Sequence, residues 1–203
     1  MMKKFKVSVD MNEEEKYLNE MAKKGFILKK YSAFGRYHFE KGSPQDLHYR
    51  IDYRLFKSKS EFNDYVALFE DAGWKHVYGT IYSGSQYFLP VSEHASDDIF
   101  SDKESKARRH ERLSQVCLLN FALMLLYFLI VLISIDFKLE NLFFLTPGLW
   151  EMEGAKFWSA FWFEFPFMLW RVVPIIVLLI FGILYGIWAI KAKKLYNKLM
   201  VEE

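Results

Sequence analysis

The residues best suited to recognition chemistry in this chain of 203 residues lie in one predicted strand, Tyr49–Arg54. Its sequence, YRIDYR, alternates apolar and charged side chains. Because successive side chains of a strand point to opposite faces, Arg50, Asp52 and Arg54 share one face. If the apolar face covers the core, these charged side chains line an open face of the sheet. Such a row could bind a polar or charged ligand, or a protein partner.

A second predicted strand could extend this charged row with Arg36, His38 and Glu40. These six residues form the predicted binding site. The alternative is a ladder of cross-strand ion pairs on a solvated face, since exposed faces of antiparallel sheets are often charged. The sequence leaves both interpretations open.

No spacing in the chain indicates catalysis or metal binding. The five histidines are never three or four residues apart, and Cys117 is the one cysteine, so the ligand spacing of a zinc site is absent. The sequence also lacks a P-loop, a nucleophile elbow and a glycine-rich dinucleotide fingerprint. We therefore predict a protein that is not an enzyme, with no catalytic residues, no metal site and no cofactor.

The elements that position the charged rows belong to a predicted cytosolic α+β domain, residues 1–91. Asp10 or Asn12 should cap a helix that runs to about Lys24, and Ser58 with Glu61 predicts a capping box for a second helix that runs through Ala72. The predicted strands are Phe5–Val9, Phe26–Tyr31, Arg36–Glu40, Leu47–Tyr53, His76–Tyr82 and Gln86–Leu89.

The order strand-helix-strand-strand occurs twice in this domain. Gly25-Phe26 after the first helix corresponds to Gly73-Trp74 after the second, which indicates an internal duplication of about 45 residues. A duplicated unit of this kind is expected to form one antiparallel sheet with two helices on one face. The opposite face would be open to a ligand, a partner or a second copy.

Three stretches carry a resemblance to a known family: Ala22–Gly25, AKKG; Tyr49–Arg54, YRIDYR; and Asp71–Trp74, DAGW. Over residues 1 to about 113 the chain resembles an uncharacterised bacterial family known as a domain of unknown function. Its members are often encoded beside PadR-type transcriptional regulators, and two membrane helices are a usual appendage. The resemblance implies no catalytic or binding residues. The repeated strand-helix-strand-strand plan is also similar to the effector-binding domains of some drug-sensing regulators.

The rest of the chain, 114–203, predicts a membrane region. Two uncharged apolar stretches, about 115–135 and 172–190, each have roughly the 20 residues that a helix needs to cross a bilayer. Residues 92–113 are an acidic linker followed by a basic juxtamembrane segment. Lysine and arginine residues precede the first span and follow the second. The positive-inside rule therefore predicts a plasma-membrane protein whose two termini both lie in the cytoplasm. The loop 136–171 would then lie outside.

That loop contains an aromatic segment, Phe157–Trp170, with two open interpretations. It is either an interfacial or re-entrant segment anchored by Trp158, Trp162 and Trp170, or part of a long second helix kinked at Pro166 and Pro174. Within the spans, Gly182 and Gly186 lie four residues apart and predict a helix–helix contact face. Asn120 should seek a partner on another helix.

Two functional hypotheses follow from the sequence. The first is a membrane-tethered sensory or regulatory module whose cytosolic domain binds a ligand or a protein partner. The second is a small accessory or protective membrane protein, which acts through its helices and aromatic loop as a subunit of a complex or as a homo-oligomer. The expected partners are the lipid bilayer and such a protein. Nucleic acid is not expected, because the domain mixes charges nearly evenly.

Overall fold

The computed structural model describes residues 2–32, 35–91, 98–136, 138 and 142–201. The chain divides into two compact units, one of Met1–Ser114 with Ile190–Glu203 and the other of Gln115–Ala189. The elements of the first part are β1 (Met2–Phe5), α1 (Met11–Lys23), β2 (Phe26–Ser32), β3 (Arg36–Lys41), β4 (Arg50–Tyr53), α2 (Lys59–Asp71), β5 (Trp74–Tyr78) and β6 (Ser85–Pro90). Two long helices follow, α3 (Lys103–Ser134) and α4 (Gly154–Val201), with a short 3₁₀ turn at Leu149–Glu151 between them. The predicted α+β class with two long C-terminal helices is confirmed.

The strands form two antiparallel sheets of three strands, β1-β3-β2 and β4-β6-β5. The prediction of a single sheet is therefore wrong. Within the described part of the chain, strand β4 pairs with β6 on one side only, and side chains occupy its other edge. Asn19 Oδ1 accepts from Tyr49 N at 2.7 Å, and Glu15 Oε1 accepts from Ile51 N at 3.1 Å. Because these two backbone N–H groups already donate to side chains, they cannot donate to the backbone of a further strand at that edge.

The two short helices do not cover one common face. Helix α1 packs its apolar side onto both sheets, in a core that includes Leu18, Phe39, Ile51 and Tyr87. Helix α2 packs onto the other face of the second sheet, where Tyr65 contacts Phe88. Tyr87 and Phe88 are neighbours in β6 and point to opposite sides, so both faces of that sheet are covered.

Both predicted helix starts are confirmed. Asp10 caps α1 by accepting from Asn12 N at 2.9 Å, and Ser58 caps α2 by accepting from Glu61 N at 3.1 Å. Three strands differ from prediction. The first is Met2–Phe5 rather than Phe5–Val9, the fourth is Arg50–Tyr53 rather than Leu47–Tyr53, and the fifth is Trp74–Tyr78 rather than His76–Tyr82.

Local interactions explain these shifts. Ser8 Oγ donates to Asp10 O at 2.8 Å and so belongs to the approach to α1. Tyr49 N is bonded to the side chain of Asn19 rather than to a strand. The fifth strand ends before Gly79, whose φ of +157° follows a break in register between His76 and Tyr78.

Helices α3 and α4 are both long and apolar enough to cross a membrane. Their most apolar windows are only 6% and 11% buried, whereas the core helix of a soluble protein would be largely covered. The aromatic segment Phe157–Trp170 is part of α4, which runs through Pro166 and Pro174 without a break. Of the two interpretations from sequence, the structure therefore has the long second helix. Of the predicted linker, residues 92–97 lie outside the described part of the chain.

Candidate functional site

The inward face of α1 carries two carboxylates among its apolar side chains. The buried residues of this helix are Met11, Glu14, Glu15, Leu18, Met21 and Ala22. A buried carboxylate is costly unless hydrogen bonds or a cation satisfy it. The candidate site is built from the groups that surround these two carboxylates.

Glu15 forms a buried ion pair with Arg109 of α3. Arg109 Nη1 lies 2.6 Å from Glu15 Oε1, and its side chain has no exposed surface. The same nitrogen donates to Ile51 O at 2.5 Å, and Nη2 donates to Asn12 Oδ1 at 2.7 Å. One guanidinium thus joins α3 to both α1 and the edge of β4.

A second arginine of α3 repeats the pattern one turn further on. Arg112 Nε donates to Tyr53 O at 2.5 Å, and its Nη2 donates to Asp52 Oδ1. The other Asp52 oxygen accepts from Tyr65 Oη of α2 at 2.9 Å. Burial is the main cause that raises the pKa of Tyr65, with the charge of Asp52 second. The hydroxyl is therefore a permanent donor to Asp52.

Glu14 lies between the two sheets and is held by two tyrosines. Tyr37 Oη of β3 donates to Glu14 Oε1 at 2.6 Å, and Tyr87 Oη of β6 donates to the same oxygen at 2.7 Å. Burial raises the pKa of Glu14 above its ordinary value, and the two hydroxyls oppose that effect. Glu14 is thus the point at which α1, the first sheet and the second sheet meet.

A cleft of about 350 Å³ opens beside these tyrosines, between β2 and the turn that links β5 to β6. Its lining residues are Lys30, Tyr31, Ser32, Tyr78, Tyr82 and Ser83. The Tyr31 ring packs on Tyr37 and on Tyr87, with centroids 4.9 and 5.8 Å apart. The cleft is therefore in contact with the two residues that hold Glu14.

The predicted row on β4 is not an open charged face. Asp52 is only 3% exposed, because α2 covers this side of the sheet and Tyr65 and Arg112 bind the carboxylate. Arg50 is partly buried and its Nε lies 3.7 Å from Asp98 Oδ1. Arg54 is more exposed, and its Nη2 lies 3.5 Å from Glu61 Oε1.

Arg36, His38 and Glu40 lie on β3, in the other sheet, so the structure does not combine them with the β4 row into one surface. His38 Nε2 is 3.0 Å from Ser32 Oγ, and Glu40 pairs with Lys29 at 2.8 Å. Arg36 is exposed. Desolvation lowers the pKa of His38, and the charge of Lys3 adds to this.

The structure also places the residues that were predicted to form helix–helix contacts or to lie at the membrane interface. A Cβ on Gly182 would lie 3.5 Å from Met124 Cβ, and one on Gly186 would lie 3.4 Å from the Phe121 ring. Both glycines thus lie where α4 approaches α3. Asn120 bonds Val116 O of its own helix at 2.8 Å, so the expected bond to another helix is not seen among the described residues. Trp158, Trp162 and Trp170 are exposed on α4.

Sequence reasoning missed Glu14, Glu15, Arg109 and Arg112. The two arginines looked like topology signals because they precede an apolar span. A signal was present in α1, where Glu14 shares a helical face with Leu18 and Met21 at intervals of four and three residues. Carboxylates on an apolar face require partners, and basic residues near the span were available to supply them.

Comparison with protein families gives one match. The model of "Protein of unknown function (DUF2812)" matches residues 10–122, more than half of the chain, including α1, α2, the strands β2 to β6 and α3 as far as Ala122. No curated protein and no solved structure matches the chain. The resemblance seen in the sequence is confirmed at the level of the family, and the chain belongs to the family of proteins of unknown function DUF2812.

Proposed function

We propose that the chain is a membrane-tethered sensory or regulatory module. Its cytosolic α+β domain binds a ligand or a protein partner, and α3 carries the resulting change to the membrane region. The observation that carries this proposal is the buried Glu15–Arg109 pair at 2.6 Å. It fixes the start of α3 inside the domain that would do the binding.

Continuity of the helix supports the proposal. Helix α3 is unbroken over 32 residues from Lys103 to Ser134, a length of roughly 48 Å at 1.5 Å per residue. Arg109 and Arg112 hold its first part, and its later part is the first apolar stretch. A change in α1 or β4 that moves Glu15 or Asp52 would therefore act on a rigid element rather than on a flexible linker.

The proposed topology has two spans in the plasma membrane and both termini in the cytoplasm. The basic residues outside the two apolar stretches support it through the positive-inside rule. Several of them also have structural partners in the domain, such as Lys193 with Glu111 at 3.2 Å. Both roles are compatible, since each requires these residues on the side of the domain.

We further propose that the domain is an internal duplication, as its sequence indicates, and that it is a sensory domain. The two sheets have the same order relative to their own strands, first-third-second, and α1 and α2 each have 13 residues. The predicted gene neighbourhood with PadR-type regulators points to the same class of function.

Insertion of alanines between Gln115 and Val116 tests transmission through α3. Each added residue rotates the following helix by about 100° relative to the domain, so one or two residues change its phase, and four nearly restore it. The readout is the set of transcripts that changes when the gene is deleted from its own cell. We expect complementation by the wild type and by the four-residue insertion, and failure by the one- and two-residue insertions.

The control for correct membrane insertion is that each alanine variant is present in the membrane fraction in the same amount as the wild type. Full complementation by every insertion variant, or no transcript change on deletion, would contradict the proposal. A helix that only tethers the domain would tolerate any phase.

The second candidate function is an accessory subunit that acts through its helices and aromatic loop. The exposed face of α4, with Trp162, Phe163 and Trp170 at 58%, 73% and 82% exposure, favours it. This function would be insensitive to the phase of α3 and sensitive to replacement of these aromatic side chains. The insertion series therefore separates the two candidates.

A further inference from the structure

Among the residues that the structure describes, Glu14 differs from the other buried carboxylates in forming no ion pair, and the more distant charge of Lys6 is the one cation that acts on its pKa. Among the described residues, Glu15, Asp52 and Glu164 each pair with an arginine. Glu14 is 5% exposed and forms no ion pair within that part of the chain. Two neutral hydroxyls are its hydrogen-bond donors. A buried carboxylate without a cation is an incomplete arrangement when it is ionised.

The hydrogen bonds leave one oxygen of Glu14 available. Tyr37 and Tyr87 both donate to Oε1. Within the residues that the structure describes, no donor is bonded to Oε2. Because an ionised carboxylate accepts on both oxygens, Oε2 is the atom that a further positive group would approach.

Aromatic rings connect this carboxylate to the surface. Tyr31 lines the cleft and packs on Tyr37, and Tyr78 lines it and packs 6.4 Å from Tyr87. Burial raises the pKa of Tyr31 to about 12, and the negative charge of Glu14 contributes to this shift. The potential of Glu14 therefore reaches a residue that forms the wall of the cleft.

The protein already places one of its own cations on the same aromatic cluster. Lys6 Nζ lies 4.3 Å from the centroid of the Tyr17 ring, which packs edge-on against Tyr37. The faces of aromatic rings attract cations, most strongly where water is excluded. A cleft walled by tyrosines that pack on the two hydrogen-bond donors of Glu14 combines both attractions.

We propose that the cleft lined by Tyr31, Tyr78 and Tyr82 binds an organic cation with an aromatic or alkyl body, and that Glu14 is its counter-ion. This names the ligand class of the proposed sensory domain and rests on that function only for its physiological meaning. The cleft volume of about 350 Å³ is at the lower end of small-molecule sites. A metal ion fits less well, because the described residues contain no group of three or more acidic, histidine or cysteine side chains that could hold one.

Lys30 at the rim narrows the ligand class further. Its ammonium repels small cations at the mouth of the cleft, so the ligand must gain from ring contacts deeper inside. Removal of this charge should strengthen binding. Since burial favours the protonated form of Glu14, binding of a cation should release a proton, and affinity should increase as pH rises.

The test uses the detergent-solubilised full-length chain and isothermal titration calorimetry. The probes are benzyltrimethylammonium and N-methylquinolinium, with quinoline at pH 7.5 as the neutral control. We expect both cations to bind with a Kd below about 1 mM, and quinoline to bind at least tenfold more weakly. Affinity for the cations should be higher at pH 8 than at pH 6.

Two variants and a matched control assign the site. Glu14→Gln keeps an acceptor for the tyrosines but removes the charge, and should weaken binding at least tenfold. Tyr82→Ala changes a side chain that is 88% exposed, so it should fold normally and weaken binding several-fold. Glu13→Gln changes the exposed neighbour of Glu14 and should bind as the wild type does.

Absence of binding by both cations, equal binding of quinoline, or wild-type affinity in Glu14→Gln would overturn the proposal. If Glu14→Gln fails to fold, Tyr82→Ala and the pH dependence decide in its place. The result is independent of the insertion series in α3. If the cations bind but every insertion variant complements, only the regulatory function is contradicted. If complementation depends on the number of inserted residues but the cations do not bind, only this ligand class is contradicted.

Discussion

Arg109 Nη1 lies 2.6 Å from Glu15 Oε1, and neither side chain has more than 9% of its surface exposed. This pair joins a helix that contains a long apolar stretch to the first helix of the α+β domain. The basic segment before the span is therefore part of the folded domain, in addition to any role in topology.

Replacement of Arg109 by Gln should destabilise the domain by about 3–5 kcal/mol, because Glu15 is left buried without its cation. The matched control is Arg108→Gln, since Arg108 is exposed and pairs with Glu104 on the same helix; exposed pairs contribute ~0–1 kcal/mol. Pulse proteolysis of the full-length chain in increasing urea measures both values. Equal midpoints for the two variants would show that the buried pair does not hold α3.

Glu14 should make the domain less stable as pH rises. Burial raises its folded pKa above the unfolded value of about 4.5, so the folded state binds the proton more tightly. Stability is then fully present below the unfolded pKa and decreases as pH rises through the folded pKa.

The measurement is the urea midpoint of the wild type, Glu14→Gln and the control Glu13→Gln between pH 5 and pH 8. Glu14→Gln should be the more stable protein at pH 8, and its midpoint should change less over this range. If the urea midpoints of all three proteins increase equally steeply with pH, the assignment to Glu14 is contradicted.

Gly84→Ala should destabilise the domain by ~1–3 kcal/mol, for two reasons. Its φ is +72°, and a Cβ would lie 2.6 Å from Tyr53 Cε2. Gly42→Ala is the matched control, because the nearest atom to its Cβ, Ile27 Cγ1, is at 3.6 Å. Thermal unfolding by circular dichroism separates them, and a similar loss in both would refute the role of the turn.

Glu164→Ala should release the loop that precedes α4. The Glu164 carboxylate accepts from Leu145 N, Thr146 N and Thr146 Oγ1, and Arg171 Nη2 lies 3.2 Å from its Oε1. Hydrogen exchange at the amides of Leu145 and Thr146 should become faster in this variant. It should remain unchanged in the control Glu153→Ala, which replaces an exposed carboxylate outside the helix.

Local signals in the sequence were sufficient to predict both short helices, and three of the six strands to within one residue at each end. Asp10 and Ser58 begin α1 and α2 as predicted, because a capping side chain acts on backbone groups two or three residues away. Alternation along β4 was also correct, since Ile51 and Asp52 point to opposite sides. What covers each side depends on distant parts of the chain. The charged side of β4 was expected to face solvent, yet Tyr65 and Arg112 bury Asp52.

The single predicted sheet failed for the same physical reason. Whether two strands pair depends on which groups reach their free edges, and here Glu15 and Asn19 satisfy the edge of β4. Likewise, the position of Glu14 between Tyr37 and Tyr87 requires the packing of both sheets on α1. Neither relationship has a local sequence pattern, although two carboxylates on the apolar face of α1 indicate that buried partners exist.

Hydrogen exchange of the full-length protein most directly tests whether α3 begins inside the domain. The amides of residues 105–112 should exchange as slowly as those of β6, and Arg109→Gln should accelerate exchange both there and in α1. Fast exchange of residues 105–112 in the wild type, with β6 still protected, would contradict the central claim, because α3 would then be a tether outside the domain.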